Sequence, residues 1–279
     1  MKKKVINKNI SVLTGASSGL GREIAFGLCA KGHTVYVVAR RKPELLKLKK
    51  ECKGPGKIEV VAGDLSDSKF REKLISTVLK KEGRIDYLFN NAGYGRSTFL
   101  ENQKVEEMSN IFEINVVAYA HLISLVLPSM KKRNKGRIIN TGSVVAFTPL
   151  PFFTLYNASK SAVYALNRSL SYELKGTSVS STVVLPARMK TGFAQRAYDC
   201  YMKDGKRVCV EKFNSAAGPA NVVAKNILRK IDKGNEVIIP TAKAGLWYFM
   251  RYLGWAVDLS MKNILGPKEK NSLMKIKLK

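Results

Sequence analysis

Short runs of β-branched and apolar residues alternate along the chain with longer segments in which apolar positions recur at helical spacing. The runs predict seven strands, over 10–13, 35–39, 58–62, 85–89, 137–140, 179–185 and 236–239. The longer segments predict helices over 19–31, 43–52, 68–81, 105–133, 154–175 and 219–232. Because strands that alternate with helices indicate βαβ units, we expect a doubly wound α/β fold. Its sheet would be seven-stranded and mainly parallel, with helices on both faces.

Two segments do not follow this alternation. Residues 187–215 are polar and mixed, and they follow the end of a predicted strand, where the ligand sites of α/β folds lie. An insertion at that place is typical of a substrate lid. Residues 243–279 form a tail of their own. We therefore predict one catalytic domain over 1–242, with a lid at 187–215, and a basic amphipathic extension over 243–279.

Composition narrows the class of protein and of partner. The chain has 279 residues, of which 45% are apolar and 25% charged, as in soluble globular proteins. It carries 49 Lys and Arg against 21 Asp and Glu, a net charge of +28 that points to nucleic acid or an anionic membrane. We find no helix-turn-helix, zinc or RNA-module signature, so we expect no nucleic-acid partner.

Four cysteines without a CxxC pair and two histidines without an HExxH pattern argue against a disulfide scaffold and a metal site. The basic N-terminus is followed by no apolar region typical of a signal peptide, which predicts a reducing, cytoplasmic location.

A glycine-rich turn joins the first predicted strand to the first helix. Glycines let the backbone approach a pyrophosphate closely, and a helix N-terminus offers N–H groups and a partial positive charge. Glycines also make ordinary turns, but the strand before this turn and the helix after it favour a nucleotide site in a Rossmann fold. The predicted cofactor residues of the turn are Gly15, Ser17, Ser18, Gly19, Leu20 and Gly21.

The second predicted strand ends in Ala39, Arg40 and Arg41, where NAD-binding folds carry an acidic residue for the ribose 2′-hydroxyl. A guanidinium stacks on adenine and pairs with a 2′-phosphate, so this ending favours NADP(H) over NAD(H). The alternative is that both arginines are ordinary surface charges of a very basic protein.

A set of polar residues follows in a fixed order: Asn91-Ala92-Gly93, Asn115, Ser143, Tyr156 and Lys160. Each is common alone. Together with the glycine turn they resemble the short-chain dehydrogenase/reductase family over about residues 8–242, and the 13 positions from Ser143 to Tyr156 agree with that family. The resemblance implies catalytic roles for Asn115, Ser143, Tyr156 and Lys160. It implies cofactor contacts for Asp64, Leu65, Asn91, Ala92, Gly93, Tyr156, Lys160 and Thr191.

The chemistry of these residue types agrees with the resemblance. Carbonyl reduction needs a hydride donor and a group that gives a proton to the carbonyl oxygen. The pKa of a free tyrosine is about 10. Residues four apart share a helix face, so we expect Lys160 beside Tyr156, where its charge would lower the tyrosine pKa. Ser143 can hold the substrate oxygen. The resemblance implies that Asn115 anchors a water relay through Lys160.

Two positions stay open at this level. Asp64 matches the family residue that meets the adenine, and it is equally placed to cap the turn before Ser66. The family's Pro-Gly segment after the sixth strand has Ala187 in place of glycine, which puts the backbone path of this turn in doubt. Arg188 and Lys190 lie in the same segment, and they either attract an anionic substrate or reflect the lysine-rich composition.

The tail contains an apolar, aromatic run of 14 residues over 244–257, which is too short to span a membrane. Residues 243–279 hold eight basic and two acidic residues, a net charge of +6. This pattern is typical of an interfacial helix on an anionic membrane, and the alternative is a helix that covers the substrate pocket or a subunit interface. Read as a helix that continues past this run, the tail forms an apolar stripe of Leu246, Phe249, Met250, Leu253, Val257, Met261 and Ile264.

We therefore predict an NADPH-dependent oxidoreductase that reduces a carbonyl, or oxidises a secondary alcohol, of a lipophilic substrate. The nearest subgroups by resemblance are keto-lipid reductases, such as 3-ketosphinganine reductase, and steroid dehydrogenases. The alternatives are a soluble reductase of a small ketone or sugar, and a non-catalytic NADP-binding sensor or scaffold. The resemblance implies a homodimer or homotetramer. We expect a cytoplasmic protein, peripheral on the inner face of a membrane through 244–279.

Overall fold

The computed structural model describes residues 9–197, 200–203, 206–209 and 217–254. The strands of the main sheet are β1 (Ile10–Thr14), β2 (Thr34–Ala39), β3 (Lys57–Ala62), β4 (Tyr87–Asn90), β5 (Gly136–Thr141), β6 (Val179–Val184) and, after four short strands, β11 (Val237–Ile238). The short strands are β7 (Met189–Lys190), β8 (Cys200–Lys203), β9 (Lys206–Cys209) and β10 (Gly218–Pro219).

Helices connect the strands. They are α1 (Gly19–Ala30), α2 (Lys42–Glu51), α3 (Ser68–Glu82), α4 (Val105–Phe112), α5 (Ala118–Lys132), α6 (Thr154–Glu173), α7 (Gly192–Ala197), α8 (Ala220–Lys230) and α9 (Ala242–Phe249). Short 3₁₀ turns lie at Leu100–Asn102, Val144–Ala146, Ile231–Lys233 and Met250–Tyr252.

The seven-stranded sheet has the order β11-β6-β5-β4-β1-β2-β3, and each of its pairings is parallel. The chain winds outward from β1 to β3 and then crosses back to place β4 on the other side of β1. The carboxyl ends of β1 and β4 therefore form a topological switch point, where doubly wound folds bind ligands. The predicted Rossmann fold is confirmed.

The core lies on both faces of the sheet, because consecutive residues of a strand point to opposite sides. All five residues of β1 are buried. Leu13 packs on the face covered by α1 and α8, whereas Val12 packs on the face covered by α3 and α5. Both faces of the central strand are thus enclosed, which explains why the predicted strands have continuous apolar runs rather than alternating ones.

The predicted helix over 105–133 is interrupted. Between α4 and α5 the residues Glu113–Val117 form a π-helical turn, whose hydrogen bonds span five residues instead of four. The apolar spacing continues through this turn, so periodicity did not reveal it. The stretch Val105–Lys132 is long and apolar enough to cross a membrane, but core helices pass the same test and this one packs on the sheet. The feature is therefore weak evidence for a membrane span.

The two segments outside the alternation are described in part. Within 187–215, β7 pairs with β10 and the hairpin β8–β9 follows α7. The role of this segment as a lid stays a prediction. In the tail, α9 begins at Ala242, so the predicted boundary between 242 and 243 falls in the first turn of a helix. Residues 255–279, including Val257, Met261 and Ile264 of the predicted stripe, lie outside the described ranges.

Candidate active site

The glycine turn lies at the switch point and leaves no room for side chains. Gly15 has a φ of +67°, and a Cβ added there would lie 2.7 Å from the Cα of Ala92. A Cβ on Gly21 would lie 2.3 Å from the carbonyl oxygen of Gly15. A Cβ on Gly19 would contact the Thr191 side chain at 3.1 Å. The backbone at Gly15 and Ala92 and the side chain of Thr191 thus lie close together at the start of α1, where a helix N-terminus can receive a pyrophosphate.

Asn91 and Ala92 are tied to the glycine turn through the end of β1. The Thr14 hydroxyl accepts hydrogen bonds from the backbone N–H groups of Asn91 (2.9 Å) and Ala92 (3.0 Å). The Asn91 amide donates to the carbonyl of Thr14 at 3.1 Å. Gly93 follows, and a Cβ there would lie 3.0 Å from Oδ1 of Asn115. This segment therefore joins the predicted cofactor residues to the predicted catalytic residues.

The two arginines at the end of β2 have different partners. Arg41 donates from Nη2 to the hydroxyls of Ser17 (3.0 Å) and Ser18 (3.1 Å) on the glycine turn. Arg40 is mostly exposed, with Nη1 3.8 Å from Oδ2 of Asp64. Both guanidinium groups are near the strand end at which the family binds the adenosine ribose. The positions fit a dinucleotide that carries a 2′-phosphate.

Asp64 shows the turn role that its position left open. Its Oδ1 accepts from the backbone N–H of Ser66 at 3.0 Å, which closes a turn before α3. The N-cap of α3 is Asp67, which accepts from the N–H of Lys69 at 2.9 Å. Because Asp64 also lies beside Arg40, the turn role and the predicted adenine contact are compatible. Leu65 next to it is buried.

Tyr156 and Lys160 lie one turn apart on α6, beside Ser143 at the end of β5. Lys160 is buried, and its Nζ donates to the carbonyl of Thr141 at 2.8 Å. The same Nζ lies 5.7 Å from the centre of the Tyr156 ring. Ser143 hydrogen-bonds with the Tyr156 phenol, and it also caps the 3₁₀ turn by accepting from the N–H of Val145 at 3.4 Å. The structure thus brings these three predicted residues together.

Asn115 lies inside the π-helical turn and is fully buried. Its side-chain Oδ1 accepts from the N–H of Tyr94 at 3.0 Å, and its Nδ2 donates to the carbonyl of Tyr94 at 2.9 Å. The same Nδ2 is 2.9 Å from the hydroxyl of Ser159, the neighbour of Lys160. Asn115 therefore connects the π turn, the segment after Gly93 and the catalytic helix α6.

The pKa values of the site differ from the expectation. Burial raises the pKa of Tyr156 to about 12, against a smaller lowering by the hydrogen bond with Ser143. The net shift is opposite to the one predicted, because burial outweighs the lowering expected from Lys160. The ammonium group points to the Thr141 carbonyl, and loss of solvent around the phenol dominates. Burial also lowers the pKa of Lys160 to about 8.

Aromatic side chains surround the Tyr156 phenol. The ring of Phe193 lies 5.4 Å and that of Phe153 6.0 Å from the Tyr156 ring, between centroids. Phe152 packs edge-on against Phe99 at 5.0 Å. Phe152 also has a φ of +68°, a strained value for a residue with a Cβ. Strain of this kind occurs mainly at functional sites, where surrounding contacts hold it.

Comparison with known proteins identifies the family. The family model of the short chain dehydrogenases matches residues 9–201, more than half of the chain. The chain belongs to the short-chain dehydrogenase family. It is thus an oxidoreductase of the NAD(P)-dependent type, and the family resemblance seen in the sequence is confirmed.

Two relatives and one solved structure illustrate the similarity. A 3-oxoacyl-(acyl-carrier-protein) reductase of Buchnera aphidicola is 31% identical over 219 residues, which cover 78% of this chain and 89% of the relative. A 3-ketodihydrosphingosine reductase of Bacteroides thetaiotaomicron is 32% identical over 184 residues, 66% of this chain and 65% of the relative. A short-chain dehydrogenase from Sphingobium yanoikuyae in complex with NADPH superposes with a TM-score of 0.75 at 26% identity, over 93% of this chain and 96% of that one. The predicted cofactor, NADP(H), agrees with that complex.

Arg71, a buried residue of α3, was not predicted from the sequence. Its Nη1 donates to the carbonyl of Leu65 at 2.6 Å and to Oε1 of Glu113 at 2.5 Å, and its Nε donates to Nδ1 of His121 at 3.0 Å. Glu113 begins the π turn that carries Asn115. Arg71 therefore links the predicted adenine loop to the catalytic turn. No sequence signal separates it from the other basic residues of the helices.

Tyr119 is a second residue that the sequence did not single out. It follows the π turn on α5, is buried, and its ring centre lies 5.7 Å from Nζ of Lys160. Its hydroxyl has no hydrogen-bond partner within the described part of the chain, and burial raises its pKa. Its ring and that of Tyr156 thus both lie near the ammonium group of Lys160. Within the described ranges, no three His, Cys, Asp or Glu side chains lie close enough to hold a metal ion.

Proposed function

We propose that this short-chain dehydrogenase uses NADPH to reduce a carbonyl group of a lipophilic substrate to a secondary alcohol. The observation that carries the proposal is the meeting of Ser143, Tyr156 and Lys160 beside the glycine turn. This juxtaposition supports a site in which a nicotinamide and a carbonyl lie next to one proton donor.

Bound NADPH would supply a hydride to the carbonyl carbon. The protein supplies the other half of the reaction. The Ser143 hydroxyl donates a hydrogen bond to the carbonyl oxygen and stabilises the negative charge that develops there. The Tyr156 phenol transfers its proton to that oxygen, which completes the alcohol and leaves a phenolate. The ammonium group of Lys160 stabilises the phenolate until a proton returns through the Asn115 side of the site.

The pKa of Tyr156 determines the protonation state in which the phenol enters the reaction. With a pKa raised to about 12, the phenol is protonated and ready to act as an acid. Alcohol oxidation requires the phenolate as a base, which is scarce under these conditions. We therefore propose that Tyr156 acts as the proton donor of carbonyl reduction near neutral pH.

The preference for NADPH rests on Arg40 and Arg41. Two guanidinium groups lie at the end of β2, and Arg41 is held against the glycine turn by Ser17 and Ser18. A 2′-phosphate between them would make charge-assisted hydrogen bonds that a 2′-hydroxyl cannot make. The NADPH complex of the Sphingobium yanoikuyae protein supports the same assignment.

The lipophilic character of the substrate is supported by the aromatic rings around Tyr156, from Phe153 and Phe193, because such surfaces bind apolar groups. The relative named as a 3-ketodihydrosphingosine reductase is in keeping with a keto-lipid. Contact of 244–279 with an anionic membrane, and a peripheral cytoplasmic location, would suit such a substrate. We also propose a homodimer or homotetramer through α6 and the helical stretch from α4 to α5, whose π turn exposes Val117.

The test is NADPH oxidation with a series of ketones of increasing chain length. We expect kcat/KM to rise with chain length. Tyr156→Phe should lower kcat by roughly 1,000-fold or more with little change in NADPH affinity, because only the proton donor is lost. Tyr172→Phe, on the exposed face of the same helix, is the matched control. Activity restricted to short ketones or sugars would support the soluble reductase instead. NADPH binding without turnover of any ketone would indicate a sensor or scaffold.

A further inference from the structure

Helix α9 has an inner face that packs on the catalytic half of the molecule. Ala244 is fully buried, and Trp247 and Tyr248 pack against the core cluster that contains Val144 and Val163. Val144 belongs to the 3₁₀ turn that Ser143 caps. The start of the tail is therefore a fixed part of the structure, in contact with the catalytic turn.

Arg251, in the turn after α9, holds the start of the tail against the protein through contacts with aromatic rings. Its guanidinium carbon lies 4.0 Å from the ring centre of Tyr248 and 5.4 Å from that of Phe147, the residue after the 3₁₀ turn. Its Nη1 is 3.5 Å from the hydroxyl of Tyr164 on α6. A cation over a ring at these distances is attracted by the negative face of the aromatic system. The tail is thus anchored to the two elements that carry Ser143 and Tyr156.

The opposite face of the segment is apolar and open to solvent. We define it as the outer face, formed by Leu246, Phe249, Tyr252 and Leu253, whose exposed fractions are 63%, 60%, 66% and 38%. Single exposed apolar residues are normal on protein surfaces, but a cluster within two helical turns marks an interface. An inner face packed on the protein and an outer face of this kind indicate that a partner covers the outer face.

The charge of the chain favours one kind of partner for the outer face. The whole chain carries +28, and the residues after 254 add six lysines against two acidic residues. A second copy on this face would bring the starts of two such basic tails together, which electrostatic repulsion opposes, whereas a dimer through other helices would not. An anionic lipid surface complements both the apolar outer face and the basic tail. It accepts apolar side chains below the headgroups and attracts the lysines.

We propose that the outer face docks on an anionic lipid bilayer and that the inner face, held by Arg251, keeps the catalytic serine turn at the docked surface. The inference deepens the proposed function and rests on it for the link to catalysis. Docking itself depends only on the outer face and the basic tail. The enzyme would take its lipophilic substrate at the membrane surface.

The test is co-sedimentation of the full chain with vesicles of equal parts phosphatidylcholine and phosphatidylglycerol. The double variant Leu246→Ser with Phe249→Ser should bind these vesicles at least roughly tenfold more weakly than the unchanged protein, because two apolar anchors are lost. The matched control is Leu46→Ser with Leu100→Ser, which removes two exposed leucines elsewhere, 49% and 45% exposed. The control should bind normally. Binding should fail with pure phosphatidylcholine and weaken as salt is added.

Unchanged sedimentation of the outer-face variant would overturn the proposal. A change from dimer to monomer in the same variant, by light scattering, would overturn it in favour of a second copy. Both variants should oxidise NADPH normally with a water-soluble ketone, and only the outer-face variant should lose vesicle stimulation with a long-chain ketone. Turnover of neither ketone, with vesicle binding as expected, would contradict the proposed function and leave the docking surface intact.

Discussion

The glycine turn and the C-terminal segment both contact the catalytic elements, but they do so by different means. At the glycine turn, backbone meets backbone, with the Cβ position of Gly21 only 2.3 Å from the Gly15 carbonyl. In the C-terminal segment, Arg251 reaches Phe147 and Tyr164 through side chains alone. Backbone contacts admit almost no substitution, whereas several aromatic or basic residues would serve in the second case. The glycine turn is therefore recognisable from a short sequence pattern, and the packing of the C-terminal segment is not.

The largest effect is expected for Gly21→Ala, which tests the backbone contacts of the glycine turn. The added methyl group has no space between the Gly15 carbonyl and the Asn91 amide, so the turn must move. We expect NADPH affinity to fall roughly 100-fold, about 3 kcal/mol, which titration calorimetry measures directly. The control is Gly83→Ala at the end of α3, where nothing lies within 4 Å. It strains a left-handed residue and should lower stability but not NADPH affinity. Equal NADPH affinity in both variants would refute the backbone argument.

The buried Arg71 offers the next test, because it is a side-chain anchor in the cofactor half. Arg71→Met leaves the Glu113 carboxylate and the Leu65 carbonyl without their donor. We expect a loss of about 2 kcal/mol in the free energy of unfolding, less than for a fully buried pair because Glu113 is partly exposed. Lys73→Met, exposed on the same helix, should have no effect. Partial recovery of kcat in Arg71→Lys distinguishes a positioning role from simple packing.

The two arginines at the end of β2 test which side chains of the cofactor site recognise the 2′-phosphate. Arg41→Ala should raise KM for NADPH about tenfold and leave KM for NADH nearly unchanged, since only NADPH has the 2′-phosphate. Arg40→Ala should have a smaller effect of the same kind, because Arg40 pairs with Asp64 at 3.8 Å, whereas Arg41 is held by two serines of the glycine turn. Steady-state kinetics with both cofactors measures this. Parallel changes for NADPH and NADH would rule out the phosphate role.

The smallest expected effect concerns pH. Burial lowers the pKa of Lys160 to about 8, so the charge that stabilises the Tyr156 phenolate is lost above that value. Tyr156 itself stays protonated up to about pH 12. Reductive kcat/KM should therefore fall roughly threefold between about pH 7.5 and 8.5. A flat profile through this range, under conditions in which chemistry limits the rate, would show that Lys160 keeps its charge.

The same contrast explains how far the fold and the site are predictable from the sequence. The seven-stranded parallel sheet, the glycine turn and the neighbourhood of Tyr156 and Lys160 follow from periodicity and spacing, and the predicted fold class is correct. The pKa of Tyr156 was predicted in the wrong direction because burial depends on residues far along the chain. Arg71 could not be found because its role depends on Leu65 and Glu113, which only the folded chain brings to it. The stack of Arg251 on Phe147 joins positions that lie far apart in the sequence.

The π-helical turn has a consequence for how the position of Asn115 is encoded. A π turn holds one residue more than an α-helix of the same span, so it is in effect an insertion. Deleting one residue from Glu113–Val117 would let this segment close into a continuous α-helix of nearly the same span, so α4 and α5 would keep their relative positions while the wide turn that carries Asn115 is lost. The buried amide would then lose Tyr94 and Ser159 together although every remaining side chain is unchanged. The number of residues in the π-helical turn thus determines the position of the Asn115 amide as much as their identity does.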